Sequence, residues 1–169
     1  MASRTMIELE SQEVASTSYA TTIASLHGLA SGSSLAAALH VITNHQERWG
    51  ILVDFTMFQV WVAFVVINFA CAIYAATTTM LTRRLMSQSW LHHMDQLVVN
   101  LEMAATVGAG AVGAIAMWGN EASAWIAVCH MYRRYCNVGA AMLVLSFTIV
   151  LFLGLACARS RYPRTSSPS

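Results

Sequence analysis

The sequence predicts an all-α membrane protein: a four-transmembrane-helix antiparallel bundle. Three observations predict it. Hydrophobic residues supply 57% of the chain and charged residues 10%, against about 45–50% and about 25% in soluble domains, and the mean hydropathy is +0.56. Four runs are apolar and almost free of charge over the length of about 20 residues that a helix needs to cross a bilayer. The connections between them are short, so neighbouring helices should run antiparallel. In lipid every backbone polar group must be paired internally, which makes helices the natural spanning structure. The same composition excludes a soluble globular domain and a disordered chain.

The first span is Tyr19–Ile42. It holds no Asp, Glu, Arg or Lys, although Ser, Thr and Gly dilute it. As a cleaved signal peptide it would use Ala36, Ala37 and Ala38 as a small-residue site. Glu8, Glu10 and Glu13 beside the single Arg4, and the lack of a compact Leu-rich stretch, argue instead for a retained span. The second span, Met57–Met80, is rich in Val, Ile, Phe and Ala. The third, Gln96–Trp118, carries one charge, Glu102. The fourth, Val138–Ala158, is uncharged and the most hydrophobic. Residues 19–158 thus form one membrane domain, between an N-terminal tail (1–18) and an Arg-, Ser- and Pro-rich tail (159–169) that reads as disordered.

The arginines orient the bundle. With a cytosolic N-terminus, Arg4, Arg83, Arg84, Arg159, Arg161 and Arg164 lie inside and Arg48, Arg133 and Arg134 outside. The positive-inside rule then puts both termini in the cytosol. Net charge is +1, with no basic run to neutralise a phosphate backbone, so nucleic acid is not an expected partner.

Polar residues are expensive in lipid and therefore informative. Asp95 opens the third span and Glu102 follows seven residues later, nearly two helical turns, on the same face. That face continues through Ala105, Ala109 and Gly113, small residues spaced to admit a neighbouring helix. Glu102 should therefore point into the bundle. The first span carries a similar stripe, Ala24, Gly28, Gly32 and Ala36, and one titratable group at comparable depth, His27. Both His27 and Glu102 lie roughly 10 Å past the inner boundary at 1.5 Å per residue, so they are expected to pair or share a proton. The alternative leaves His27 on a polar seam with Ser31 and Ser34. Asn68, mid-way along span two, reads as an interhelical hydrogen-bonding group, and Cys71 and Cys157 as small buried hydrophobes.

Between spans three and four run Gly119, Asn120, Trp125, Cys129, Tyr135 and Cys136. In this orientation the loop faces an oxidising compartment, where free thiols rarely persist. An internal Cys129–Cys136 bridge is expected. The alternatives are two free thiols or pairing to another chain. Trp125 should settle near the interface.

Enzyme chemistry finds little footing. No CxxC is present for a zinc ribbon, a thioredoxin or a quinone-linked thiol oxidase. His27 and His40 share one helix, so they cannot serve as haem ligands on facing helices. Nothing places a Ser-His-Asp or Cys-His set at a common depth. No catalytic residue, cofactor or metal is expected. A small proton-coupled transporter or channel subunit using Glu102 and His27 is the rival reading. Against it, no span is broken by Pro at mid-depth, since Pro163 and Pro168 both lie in the tail.

The segment from Asp95 to Cys136 resembles the plant Casparian strip membrane domain family, the CASP-like proteins. The family pattern is an Asp opening the third span, an Ala/Gly-rich span, then Gly-Asn, Trp, Cys and an aromatic-Cys. Here these are Asp95, Gly119-Asn120, Trp125, Cys129 and Tyr135-Cys136. Span one adds Ala36-Ala37-Ala38 leading into Thr43-Asn44-His45-Gln46, and span two adds Phe58 through Asn68 and Tyr74. The likeness covers residues 26 to 158. One departure is His27, where the family usually has an Arg thought to pair with the span-three Asp. Glu102 is an addition to the pattern. The resemblance implies a four-span plasma-membrane protein with cytosolic termini that forms homo- and hetero-oligomers, including homodimers and heterodimers, with itself and related CASP-like proteins. It implies a non-enzymatic scaffold or platform among membrane lipid, with cell-wall-modifying enzymes as further partners.

Overall fold

The computed structural model of the protein describes residues 2–81 and 88–161. Arg83, Arg84 and Arg164, half of the inside charge in the orientation argument, lie outside the described residues, as do Pro163 and Pro168. The described residues form four long helices: α1 (Ala2–Thr43), α2 (Gln59–Leu81), α3 (Gln88–Trp118) and α4 (Arg133–Arg161). Between α1 and α2 a short hairpin pairs β1 (Gln46–Arg48) with β2 (Ile51–Val53), antiparallel, with Arg48 opposite Ile51.

Long-range contacts show that every neighbouring pair is antiparallel. Tyr19 reaches Arg159 and Asn44 reaches Tyr135 across α1 and α4. Ser31 reaches Ala72 and Ser34 reaches Cys71 across α1 and α2. Tyr74 meets Asp95 across α2 and α3, and Glu102 meets Ser146 across α3 and α4. The order around the bundle is thus α1, α2, α3, α4, closed by α1 against α4.

The helices exceed the predicted spans. α1 starts at Ala2 rather than Tyr19, because residues 2–18 hold Glu, Gln, Leu and Ala and neither Gly nor Pro to stop it. α3 starts eight residues before Gln96, through a polar stretch with His92 and His93. α2, α3 over Trp90–Trp118 and α4 over Arg133–Arg159 are long and apolar enough to cross a membrane. α1 has the length, but its Ser and Thr content leaves it less apolar.

Two apolar clusters fill the interior. Ala38, Val41, Trp61, Phe64, Val65, Ala105 and Ala109 pack towards the hairpin end. Ala30, Cys71, Ala75, Ile149 and Leu153 pack towards the termini. Outward positions are also apolar: Leu29, Val66, Ile73, Val107, Val144 and Leu155 are exposed. Soluble monomers rarely expose so much contiguous apolar surface, whereas a bilayer solvates it.

The hairpin turns on Trp49 and Gly50, with φ of 52° and 77°. Two positive φ values match the tight turn that suits the twist of paired strands. Glycine adopts this backbone freely. For Trp49 it costs on the order of 1–2 kcal/mol.

Candidate functional site: two buried polar layers and a tied loop

The first polar layer joins three helices. His27 from α1 and Asp95 from α3 are 0% and 1% exposed. Tyr74 of α2 donates its hydroxyl to Asp95 Oδ1 at 2.6 Å, and His27 Nε2 lies 3.5 Å from the same oxygen. The His27 and Tyr74 rings meet edge-on, 6.1 Å apart. Asp95 thus meets a hydroxyl donor at hydrogen-bonding distance and an imidazole nitrogen within ion-pair reach. This is the chemistry a buried carboxylate requires.

The second layer lies two turns further along α3. Ser146 donates to Glu102 Oε1 at 2.6 Å. Thr106 donates its hydroxyl to the Glu102 backbone carbonyl at 2.8 Å, and its oxygen lies 2.7 Å from that of Ser146. Asn68 donates its amide to Phe64 O at 3.0 Å and lies against the Glu102 carboxyl. All four residues are buried.

The expected His27–Glu102 pair is therefore not made. His27 stands against Asp95, and Glu102 against Ser146. Counting depth from Tyr19 and Gln96 aligned the wrong residues, since neither helix begins there. His27 keeps the position where the resemblance expects an Arg, and it keeps the Asp partner.

The small residues divide into two groups. Ala105 and Ala109 are buried in the core, and a Cβ on Gly113 would meet Leu143 at 3.8 Å. Gly28 and Gly32 instead face away from the bundle, with nothing within 4 Å of a Cβ built on either. The buried face of α1 is Ile23, His27, Ala30, Ser34, Ala37, Ala38 and Val41.

The loop after α3 is built from the predicted residues. Gly119 has φ of 76°, and a Cβ there would lie 2.8 Å from the Trp125 carbonyl, so only glycine fits. Asn120 and Trp125 exchange both backbone hydrogen bonds, at 2.9 and 3.0 Å. The Asn120 side chain accepts from Ala122 N. Trp125 packs on Phe58 with ring centres 6.0 Å apart. Cys129 and Cys136 form a disulfide.

The chain leaving α1 fastens this loop. Asn44 donates to Tyr135 O at 3.0 Å, and Gln46 accepts from Tyr135 N at 3.1 Å. Arg48 donates to Met131 O at 2.8 Å. Sequence reasoning places Asn44 and Gln46 just after span one without their partner Tyr135, and reads Arg48 only as an outer-side charge. Their polar character beside an aromatic-Cys was the available signal. At the terminal end Cys157 Sγ contacts His92 Nδ1 at 3.4 Å and Gln96 Oε1 at 3.6 Å. Among the described residues, no group of three His, Cys, Asp or Glu could hold a metal ion.

Comparisons with known proteins identify the family. A model of the Casparian strip membrane protein domain matches residues 16–152. The chain is similar to CASP-like protein UU1 of Oryza sativa subsp. indica, 61% identical over 162 residues covering 94% of this chain and 97% of the relative. It is also similar to CASP-like protein UU-1 of Oryza sativa subsp. japonica, 62% identical over 163 residues, with the same coverage of each chain. A third relative, CASP-like protein UU-1 of Sorghum bicolor, is 59% identical over 128 residues, covering 76% of this chain and 71% of the relative. No solved structure matches the chain. With a four-helix membrane bundle, the Gly119-Asn120 turn and the tied loop all in place, the chain belongs to the Casparian strip membrane protein domain family.

Proposed function

We propose that this protein is an oligomerising scaffold of the plant plasma membrane, without enzymatic activity, which gathers copies of itself and related CASP-like proteins into a platform. The observation that carries this reading is the outward stripe of Gly28 and Gly32. Neither glycine is used inside the chain, and small residues four apart let a second helix approach closely in lipid. Both termini lie in the cytosol by the arginine balance, and the loop after α3 faces the cell wall, where enzymes that modify the wall are the natural partners. The carrier reading asked His27 and Glu102 to share a proton. Each has a different partner, which favours the scaffold.

The test is fluorescence recovery after photobleaching of a tagged copy at a plant plasma membrane. A scaffold recovers slowly within bounded patches. Fast and complete recovery over a uniform membrane would reject the platform.

A further inference from the structure

At the hairpin end, five stretches of chain close around a cavity of about 460 Å³, within the size range of pockets that hold one small molecule. Trp49 and Val53 of the hairpin, Trp61 of α2, Met117 of α3, Tyr132 just before α4 and Leu143 within it form its walls. Gly113 and Gly139 thin the two sides where α3 and α4 approach. The disulfide Cys129–Cys136 also borders it, so the cavity is walled by tied elements and is more than an open helix face.

Its chemistry is one-sided. No Asp, Glu, Lys or Arg lines it, and the one lining amide, Asn44, donates to Tyr135 O. A polar molecule entering here would trade water for little beyond tyrosine hydroxyls and indole N–H groups, at a cost of several kcal/mol for each group left unpaired. A hydrocarbon chain meets no such penalty. The lining stretches of α3 and α4 belong to helices apolar and long enough to cross a membrane, so the bilayer itself offers the ligand.

A fixed cation stands at the edge. Arg48 is held by the Met131 carbonyl and lies 5.2 Å from the Trp49 ring centre, and both of those residues line the cavity. Exposed Arg133 and Arg134 follow Tyr132 on the same side. The acids at this end are Glu47, Asp54 and Glu121, and the Asp54 carboxylate accepts from Thr56. A guanidinium beside an apolar cavity suits a phosphate above an acyl chain, since arginine binds phosphate through several donors at once.

We propose that this cavity is a binding site for one phospholipid, with an acyl chain inside and the phosphate on Arg48. The test uses the full-length protein in detergent, titrated with a phosphatidylcholine bearing a photoreactive diazirine in its acyl chain, and maps the labelled peptides. Labelling should saturate, should concentrate on lining residues such as Met117 and Tyr132, and should fall on addition of unlabelled phosphatidylcholine. Arg48→Gln should weaken the apparent affinity about tenfold, the loss of a charge-assisted contact. Ala114→Phe should abolish labelling by filling the cavity. The saturation curve of the natural protein decides the matter even where that variant misfolds. Unsaturable label spread over outward residues such as Val66, Ile73 and Val144 would overturn the site in favour of bulk lipid contact. Displacement by a sterol as effective as by phosphatidylcholine, or an unchanged affinity in Arg48→Gln, would overturn the phospholipid assignment.

Discussion

The side-chain oxygen of Gln46 accepts the backbone N–H of Tyr135 at 3.1 Å, joining the exit of α1 to the first turn of α4. That N–H is one of the donors a helix leaves unsatisfied at its start. A residue 89 positions away supplies the cap that local sequence does not. Asn44 takes the carbonyl of the same residue, so Tyr135 is held by both backbone groups.

Gln46→Ala should therefore release the first turn of α4. One part-buried hydrogen bond is removed, a loss of about 1 kcal/mol. Hydrogen exchange at the Tyr135 amide should accelerate, while exchange in α2 stays as it was. Gln46→Glu retains an acceptor and should keep most of the protection. Equal protection in the alanine variant and the natural chain would show that the contact contributes nothing.

His27 and Asp95 should be energetically coupled, and His27 and Glu102 should not. Contacting residues in one network show interaction energies of about 0.5–3 kcal/mol, whereas separated ones add. The measurement is a pair of double-mutant cycles on unfolding in mixed micelles. One combines His27→Ala with Asp95→Asn, the other His27→Ala with Glu102→Gln. Tyr74→Phe should also destabilise, since it removes the 2.6 Å hydrogen bond to Asp95. Additivity in the first cycle would contradict the pairing.

That contrast also marks what the sequence could and could not reveal. Apolar runs located the four helices, because length and hydrophobicity are local properties. The depth of His27 was not local. It depends on where α1 and α3 begin, and α3 begins at Gln88, in polar sequence that hydropathy discards. The hairpin was hidden for another reason. Tight two-residue turns favour Asn-Gly or Asp-Gly, and here Trp49 takes the first place against its own preference. Spacing showed that Gly28 and Gly32 share a helix face, but a face does not name its neighbour. The Gly119-Asn120, Trp125 and cysteine pattern was legible because each residue has a local task in the loop.

Gly28→Leu with Gly32→Leu should weaken self-association while leaving the fold of a single chain intact, because nothing within the chain lies within 4 Å of either added Cβ. Gly113→Leu should act differently. Its Cβ would already touch Leu143 at 3.8 Å, so the larger side chain must displace Leu143 or fill the cavity both residues line, and displacing it costs about 1–3 kcal/mol. Native gels read the first effect and thermal unfolding the second. A glycine-stripe variant that unfolds but keeps its oligomer size would reverse the assignment.

Cys129→Ser should leave membrane insertion unchanged and make the loop after α3 sensitive to protease. Insertion depends on the apolarity of α2, α3 and α4, which the substitution does not alter. The bridge closes a loop of eight residues, and its removal costs about 2.5 kcal/mol on the chain-entropy argument. The hydrogen bonds of Asn44, Gln46 and Arg48 to the same region persist, so the loop should open locally rather than detach. Cys136→Ser should behave identically, and the double variant should be no worse than either single one, because each removes the same bond. Limited proteolysis from the loop side distinguishes these outcomes. A double variant clearly more sensitive than both singles would mean that each cysteine acts separately, through packing or through another chain.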